Sequence, residues 1–172
     1  MKKLALAISL AVAPAYAALA HHHEGSDAVA SEQEAVQAAV DGIYDVISGP
    51  VGAPRDWDRM RSLMTEDARL TPIGPNGHRS HDIDGYIERS EPFLLEQGFF
   101  EVETGNRMEI YGNLAQVWSA YEGRTGSVDG PLLVSGINSF QLQWDGERWY
   151  VVSWIFDQER PDNPIPAEYL PG

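Results

Sequence analysis

The period of the apolar positions changes at residue 99. Before it, they recur at helical spacing. Val36, Val40, Ile43 and Ile47 stand at i, i+4, i+7 and i+11, one stripe of a helix with Tyr44 beside it. Ser31-Glu32-Gln33-Glu34 is a capping box ahead of that stripe, and Gly49-Pro50 is a stop signal behind it. A second, short helix is predicted over 55–64, with Asp56 as N-cap and Trp57, Met60, Leu63 and Met64 on its apolar side. Residues 68–73 read as a short strand closed by Gly74-Pro75-Asn76-Gly77. Ile83, Tyr86, Ile87 and Leu94 mark a third helix over 83–97. Pro92 inside it predicts a kink or break near Glu91, because proline removes a donor and crowds the preceding turn.

From Phe99 onward the period is two. Four strands are predicted, over 99–111, 114–124, 132–144 and 147–157. Gly112-Asn113 and Asp145-Gly146 are hairpin signals between them, and Gly126 to Pro131 makes a longer connection. Helices followed by an antiparallel meander define an α+β layout rather than a βαβ one.

Composition narrows the chemistry. A chain of 172 residues fits one domain with a core of its own. The absence of cysteine excludes disulfides, thiolate metal sites, iron–sulfur clusters and cysteine nucleophiles. With 26 acidic and 12 basic residues, the net charge of −14 argues against nucleic acid as a partner.

The first twenty residues carry a different signal. Lys2 and Lys3 precede the short apolar run Leu4–Ala13, Pro14 breaks it, and Ala15-Tyr16-Ala17 and Ala18-Leu19-Ala20 are two cleavage sites. This is the pattern of a secretory signal peptide, so an exported protein, periplasmic or secreted, is expected, with no membrane contact after cleavage. Cleavage would remove the only two lysines and leave ten arginines against 26 carboxylates. The expected organisation is a signal peptide at 1–20, a flexible His-containing linker at 21–30, a domain at 31–160 and a Pro-rich tail at 161–172. If cleavage follows Ala20, a mature chain starting His21-His22-His23 could chelate Cu(II) or Ni(II); a plain polar linker is the alternative.

The order of elements and three segments then resemble a known family. Asp56 to Ala68 (DWDRMRSLMTEDA) looks like the second-helix signature of SnoaL-like proteins in the nuclear transport factor 2-like (NTF2-like) superfamily. Tyr111 to Val117 resembles that family's hairpin, with Asn113 where aspartate is common, and Asp145 to Val152 resembles its final strand. The resemblance covers roughly residues 30–157 and is closest to the small exported DUF4440 type. It implies a cone: N-terminal helices packed on a strongly curved antiparallel sheet, with a pocket between them. The family includes isomerases, dehydratases, epoxide hydrolases, cyclases and pure binding modules, so the resemblance alone does not decide function. Known catalytic sets of the family do not map onto this chain, and the final strand carries Ser153 and Ile155 where related proteins often have histidines.

Candidate chemistry sits in two places. His78-Arg79-Ser80-His81-Asp82 pairs histidine with carboxylate, which suits a general base, with His81 as the candidate. The same residues could hold a divalent metal, or Ser80 or Asp82 could cap the third helix; no metal or organic cofactor is assigned. The second place is an aromatic set. Tyr44, Trp57, Tyr86, Tyr121, Asn138 and Trp154 are the candidate substrate-binding residues around a cavity, each with ordinary core as the alternative. An amide at Asn138 inside a sheet needs a partner, either a ligand or a group such as Tyr121. Asp157 and Glu159 follow the last strand, where a buried carboxylate could act as acid or base; solvent-exposed rim residues are the alternative. Sequence does not tell the concave sheet face from the convex one. Two functions stay open: a pocket for a small hydrophobic molecule, with or without general acid–base catalysis, or a non-enzymatic binding or dimerisation module with a self-filled core. A homodimer is compatible with both.

Overall fold

The stripe of Val36, Val40, Ile43 and Ile47 is buried completely or nearly so. Each such side chain contributes about 1.5–3 kcal/mol when removed from water. The structure is a computed structural model that describes residues 21–74 and 77–170, with side chains from residue 29 onward. The expected signal peptide and the His21–His23 side chains lie outside the described residues. The first helix, α1, runs His21–Ile47, so the segment 21–30, expected as a linker, is helical. No proline interrupts it, and a helix once nucleated propagates at one hydrogen bond per residue. The chain separates into two units, Met1–Glu32 and Gln33–Gly172. All packing described below belongs to the second.

A short helix α2 follows at Trp57–Leu63, capped by the Asp56 carboxylate, which accepts from the Arg59 amide at 2.9 Å. Strand β1, Met64–Gly74, is longer than the predicted 68–73 and pairs with the two-residue β2, Gly77–His78. Helix α3, Ile83–Gln97, is capped by Asp82, whose Oδ1 accepts from the Gly85 amide at 2.8 Å. The expected break at Pro92 does not occur: the helix continues through it. Pro92 and Glu88, whose carbonyl the proline deprives of a donor, are both exposed, so water can satisfy that carbonyl. Gly98 ends the helix at φ 62°, and a Cβ there would meet the Val51 amide nitrogen at 2.7 Å.

Strands β3 (Phe99–Tyr111), β4 (Leu114–Thr125), β5 (Leu132–Trp144) and β6 (Trp149–Gln158) form the meander. The sheet order is β2-β1-β6-β5-β4-β3. The meander is antiparallel as expected, and β1 adds to it in parallel along β6, so the sheet is mixed. β1 reaches β6 through α3 and the whole meander rather than through a hairpin, so no tight turn imposes an antiparallel direction. Register shifts at Glu103/Gly105, Gly123/Arg124 and Gln141/Leu142 cross neighbouring strands, and bulges of this kind bend a sheet. The inner face carries Val117, Ser119, Tyr121, Asn138, Phe140 and Trp154, all buried, while Trp118 and Ile155 face outward at 39% and 37% exposure.

Arg55 ties the helices together. Its guanidinium donates to the carbonyls of Ile47, Gly49, Ala53 and Leu94. These include the open carbonyl ends of α1 and α3, which a cation satisfies well. Beyond β6 the chain folds back. Ile165 donates to Glu159 at 3.3 Å, and a 3-10 turn at Ala167–Tyr169 sets the Tyr169 ring 6.2 Å from Trp118. The described part of the tail therefore lies on the outer face of the sheet. No helix among the described residues is long and apolar enough to cross a membrane.

Candidate functional site

The bent sheet and α3 do not close on each other. Between them is a cavity of about 510 Å³, within the range of small-molecule sites. Trp154 is the centre of its wall, with ring centroids of Tyr86, Phe140 and Phe156 at 5.4, 5.6 and 5.1 Å. Tyr86, Tyr121, Asn138, Trp154 and Glu101 line the interior and are buried. Phe93, Leu133, Arg89 and Gln158 line the same cavity and are exposed, so they form its mouth.

Glu101 is the group that sequence reasoning missed. It lies near the start of β3 with only 8% of its surface exposed. Asn138 Nδ2 donates to its Oε1 at 2.9 Å. Its Oε2 makes no hydrogen bond among the described residues. Burial pushes its pKa up to about 7, and the Asn138 hydrogen bond works against that rise. The signal was present in the run Phe99-Phe100-Glu101: period two puts a carboxylate on the same face as Phe99, which is buried.

Asn138 is held on every side. Besides Glu101, its Nδ2 donates to the Tyr44 hydroxyl at 2.9 Å, and its Oδ1 accepts from Trp154 Nε1 at 2.8 Å. An indole N–H only donates, so the amide orientation is chemically determined. The Tyr44 hydroxyl and Ser119 Oγ are 2.6 Å apart, and Ser119 donates onward to Glu103. Since the one Ser119 proton goes to Glu103, Tyr44 donates to Ser119. The chain of bonds thus runs from the half-buried Glu103 carboxylate inward to the cavity carboxyl. Asn138 Nδ2 donates both to Tyr44 and to Glu101, so this network positions Glu101 rather than conducting protons to it.

Two further polar groups face the space. Tyr121 stands opposite Gly136 in the β4–β5 register, and a Cβ on Gly136 would come within 2.8 Å of its hydroxyl. The missing side chain makes room for that phenol, which forms no hydrogen bond among the described residues. Burial first, then the nearby Glu101 carboxylate, raises the pKa of Tyr121, and the same two causes raise that of Tyr86. Both phenols stay protonated at neutral pH. His81 also lines the cavity, and its Nε2 is buried without a hydrogen-bond partner.

The six substrate-binding candidates divide accordingly. Tyr86, Tyr121, Asn138 and Trp154 line the cavity, as does His81. Tyr44 stands behind Asn138, with its ring against Phe140. Trp57 does not line the cavity: it sits at the start of α2, and its indole donates to Glu91 of α3 at 2.8 Å. Asp157 pairs with Arg160, and Glu159 accepts from Ser135 and the Ile165 amide. Both carboxylates are therefore tied to the rim and tail. Among the described residues, no three His, Cys, Asp or Glu side chains gather in a group able to hold a metal ion.

This combination of a helix-covered, bent six-stranded sheet and an interior cavity is the NTF2-like fold. No family model matches the sequence, and no curated protein matches it. Solved structures do. An NTF2-like protein of unknown function from Shewanella baltica aligns over 76% of this chain and 96% of its own, with 17% identity and a TM-score of 0.54. A protein of unknown function from Mycobacterium tuberculosis aligns over 81% and 79%, with 17% identity and a TM-score of 0.63. A putative scytalone dehydratase from Novosphingobium aromaticivorans aligns over 78% and 89%, with 13% identity and a TM-score of 0.63. At these identities the likeness is one of fold.

Proposed function

We propose that the cavity binds a small, largely apolar molecule bearing oxygen, and that Glu101 exchanges a proton with it. One observation carries this reading: a carboxyl buried at the cavity wall, held at one oxygen by Asn138, unpartnered at the other and poised near pH 7. A general base works best with a pKa near the working pH. Above pH 7 Glu101 is ionised and can take a proton from a carbon or hydroxyl of the bound molecule. Tyr121, kept neutral, can donate to an oxygen on which negative charge develops. The aromatic wall excludes the water that would otherwise compete. The putative dehydratase among the fold neighbours is compatible with proton-transfer chemistry in such a cone. A self-filled core, the alternative read from sequence, is not supported by a cavity of about 510 Å³.

Export to the periplasm or the medium, a SnoaL-like or DUF4440-type assignment and a homodimer belong to the same proposal. Export rests on the first twenty residues and is checked by sequencing the N-terminus of the secreted product; an uncleaved chain found only in the cytoplasm would sink it. The homodimer rests on outward-facing Trp118 and Ile155, which sedimentation equilibrium tests.

The reaction is tested with 2-tetralone in D2O, following loss of its α-proton signals by NMR. Mature protein should accelerate exchange at pH 8, and Glu101→Gln should abolish the acceleration while still binding the ketone. Binding without exchange would leave a ligand carrier and remove the catalytic claim.

A further inference from the structure

The charge pattern at the cavity mouth points to the class of ligand. The chain carries a net charge of −14, yet the strongly basic side chain lining the cavity, Arg89, makes no hydrogen bond or ion pair among the described residues. Most other arginines are engaged. Arg59, Arg61, Arg107, Arg124 and Arg160 are in ion pairs. Arg55, Arg69 and Arg148 donate to carbonyls or a hydroxyl. Among the described residues only Arg79 and Arg89 have side chains without a hydrogen bond or ion pair, and Arg79 does not line the cavity. Helical spacing explains the isolation of Arg89. Its neighbours three and four residues away are Gly85, Tyr86, Pro92 and Phe93, and none is acidic.

The buried interior of the cavity has the opposite character. Glu101 is buried inside among Tyr86, Tyr121 and Trp154, and an anion placed beside its carboxylate would be repelled. The rest of the lining is largely aromatic and aliphatic. His81 Nε2 is a further lining polar group that is buried without a hydrogen-bond partner among the described residues. The space of about 510 Å³ is enough for a compact organic molecule.

We infer that the cavity takes an amphipathic carboxylic acid, its apolar body along Trp154 and Phe93 and its carboxylate on Arg89 at the mouth. This polarity turns the neutral end of the ligand toward Glu101. The inference rests on the pocket reading above and adds the charge and the orientation of the ligand. A planar guanidinium can hold a carboxylate through two parallel hydrogen bonds, which a neutral alcohol cannot offer.

Calorimetric titration of mature protein at low salt tests it, with 4-phenylbutanoate and 4-phenylbutan-1-ol as a matched pair. The acid should bind about tenfold more tightly than the alcohol. Arg89→Gln should bring the ratio close to one without weakening the alcohol, and Arg79→Gln should leave the ratio unchanged. Equal or tighter binding of the alcohol to the wild type would overturn the inference and leave the pocket reading standing. So would a preference that survives Arg89→Gln, or one that Arg79→Gln removes equally well. If neither probe binds, and indole and 2-naphthol also fail, the pocket reading itself falls and the inference with it.

Discussion

At the residue scale, Glu101 combines a stability cost with a proposed chemical use. Its folded pKa of about 7 lies above the ordinary carboxylate value, so the folded state holds the proton longer than the unfolded chain does. The resulting stability is fully present below about pH 4 and is lost as pH rises toward 7, by about 3 kcal/mol in all. Urea denaturation of wild type and Glu101→Gln at pH 5 and pH 8 should show the variant gaining relative stability across that interval. A difference that does not change with pH would mean the carboxyl is not buried in solution. Asn138→Leu should act in two ways. It leaves Glu101 Oε1 and Trp154 Nε1 without their partner and takes one of two bonds from the Tyr44 hydroxyl, which keeps Ser119, at a cost of about 3 kcal/mol or more. It also removes the bond that restrains the Glu101 pKa, so a carbon-13 NMR titration should place that pKa higher still. A pKa that stays put or falls would contradict the geometry. Sequence singled out Asn138 as an amide in need of a partner, but not Glu101, because a charged side chain in a strand ordinarily faces water. The bond that makes Glu101 tolerable inside comes from a residue two strands away.

At the element scale, the joints matter more than the elements. Apolar period, caps and hairpin turns marked most helices and strands to within a few residues, since those signals act over neighbouring turns. The exceptions are the places where distant groups intervene. Helix α1 extends through the expected linker, α3 passes through Pro92, and β1 lengthens by pairing in parallel with β6. The clamp that joins α1 to α3 was not legible either, because Arg55 reads as an ordinary surface arginine before α2. It is 7% exposed, donates only to carbonyls, and burial lowers its pKa from the usual arginine value. Arg55→Met should cost about 3 kcal/mol, chiefly by stripping those carbonyls of donors. Thermal and urea unfolding measure this, and a loss under 0.5 kcal/mol would show that water replaces the guanidinium without penalty.

At the scale of the whole molecule, the sheet has two faces with separate roles. The inner face builds the cavity, and the outer one receives the tail through Tyr169 and Trp118. Deleting residues 161–172 should cost about 1 kcal/mol, the order of one aromatic pair, and leave ligand binding intact. Loss of binding on truncation would instead place the tail in the function of the cavity. An acidic chain with a cation isolated at the mouth also predicts its own salt dependence. Screening shortens electrostatic reach to about 10 Å at 0.1 M salt, so any preference for an acid should shrink between 20 mM and 500 mM salt.

Sequence by itself determined the order of the helices and strands, their approximate limits and the α+β layout, because period, caps and turns are properties of neighbouring residues. It also narrowed the cavity lining: Tyr86, Tyr121, Asn138 and Trp154 were all named as candidates, and all line the space. Only the tertiary structure decided which sheet face is concave, since strand parity yields two faces of equal standing until bulges bend the sheet. It alone separated Trp57 from the cavity and placed Tyr44 behind Asn138. It alone brought a carboxyl from β3, an amide from β5 and an indole from β6 into one hydrogen-bonded set. Such a set depends on how strands at long sequence separation stack, and nothing local in the chain encodes which polar group will meet which.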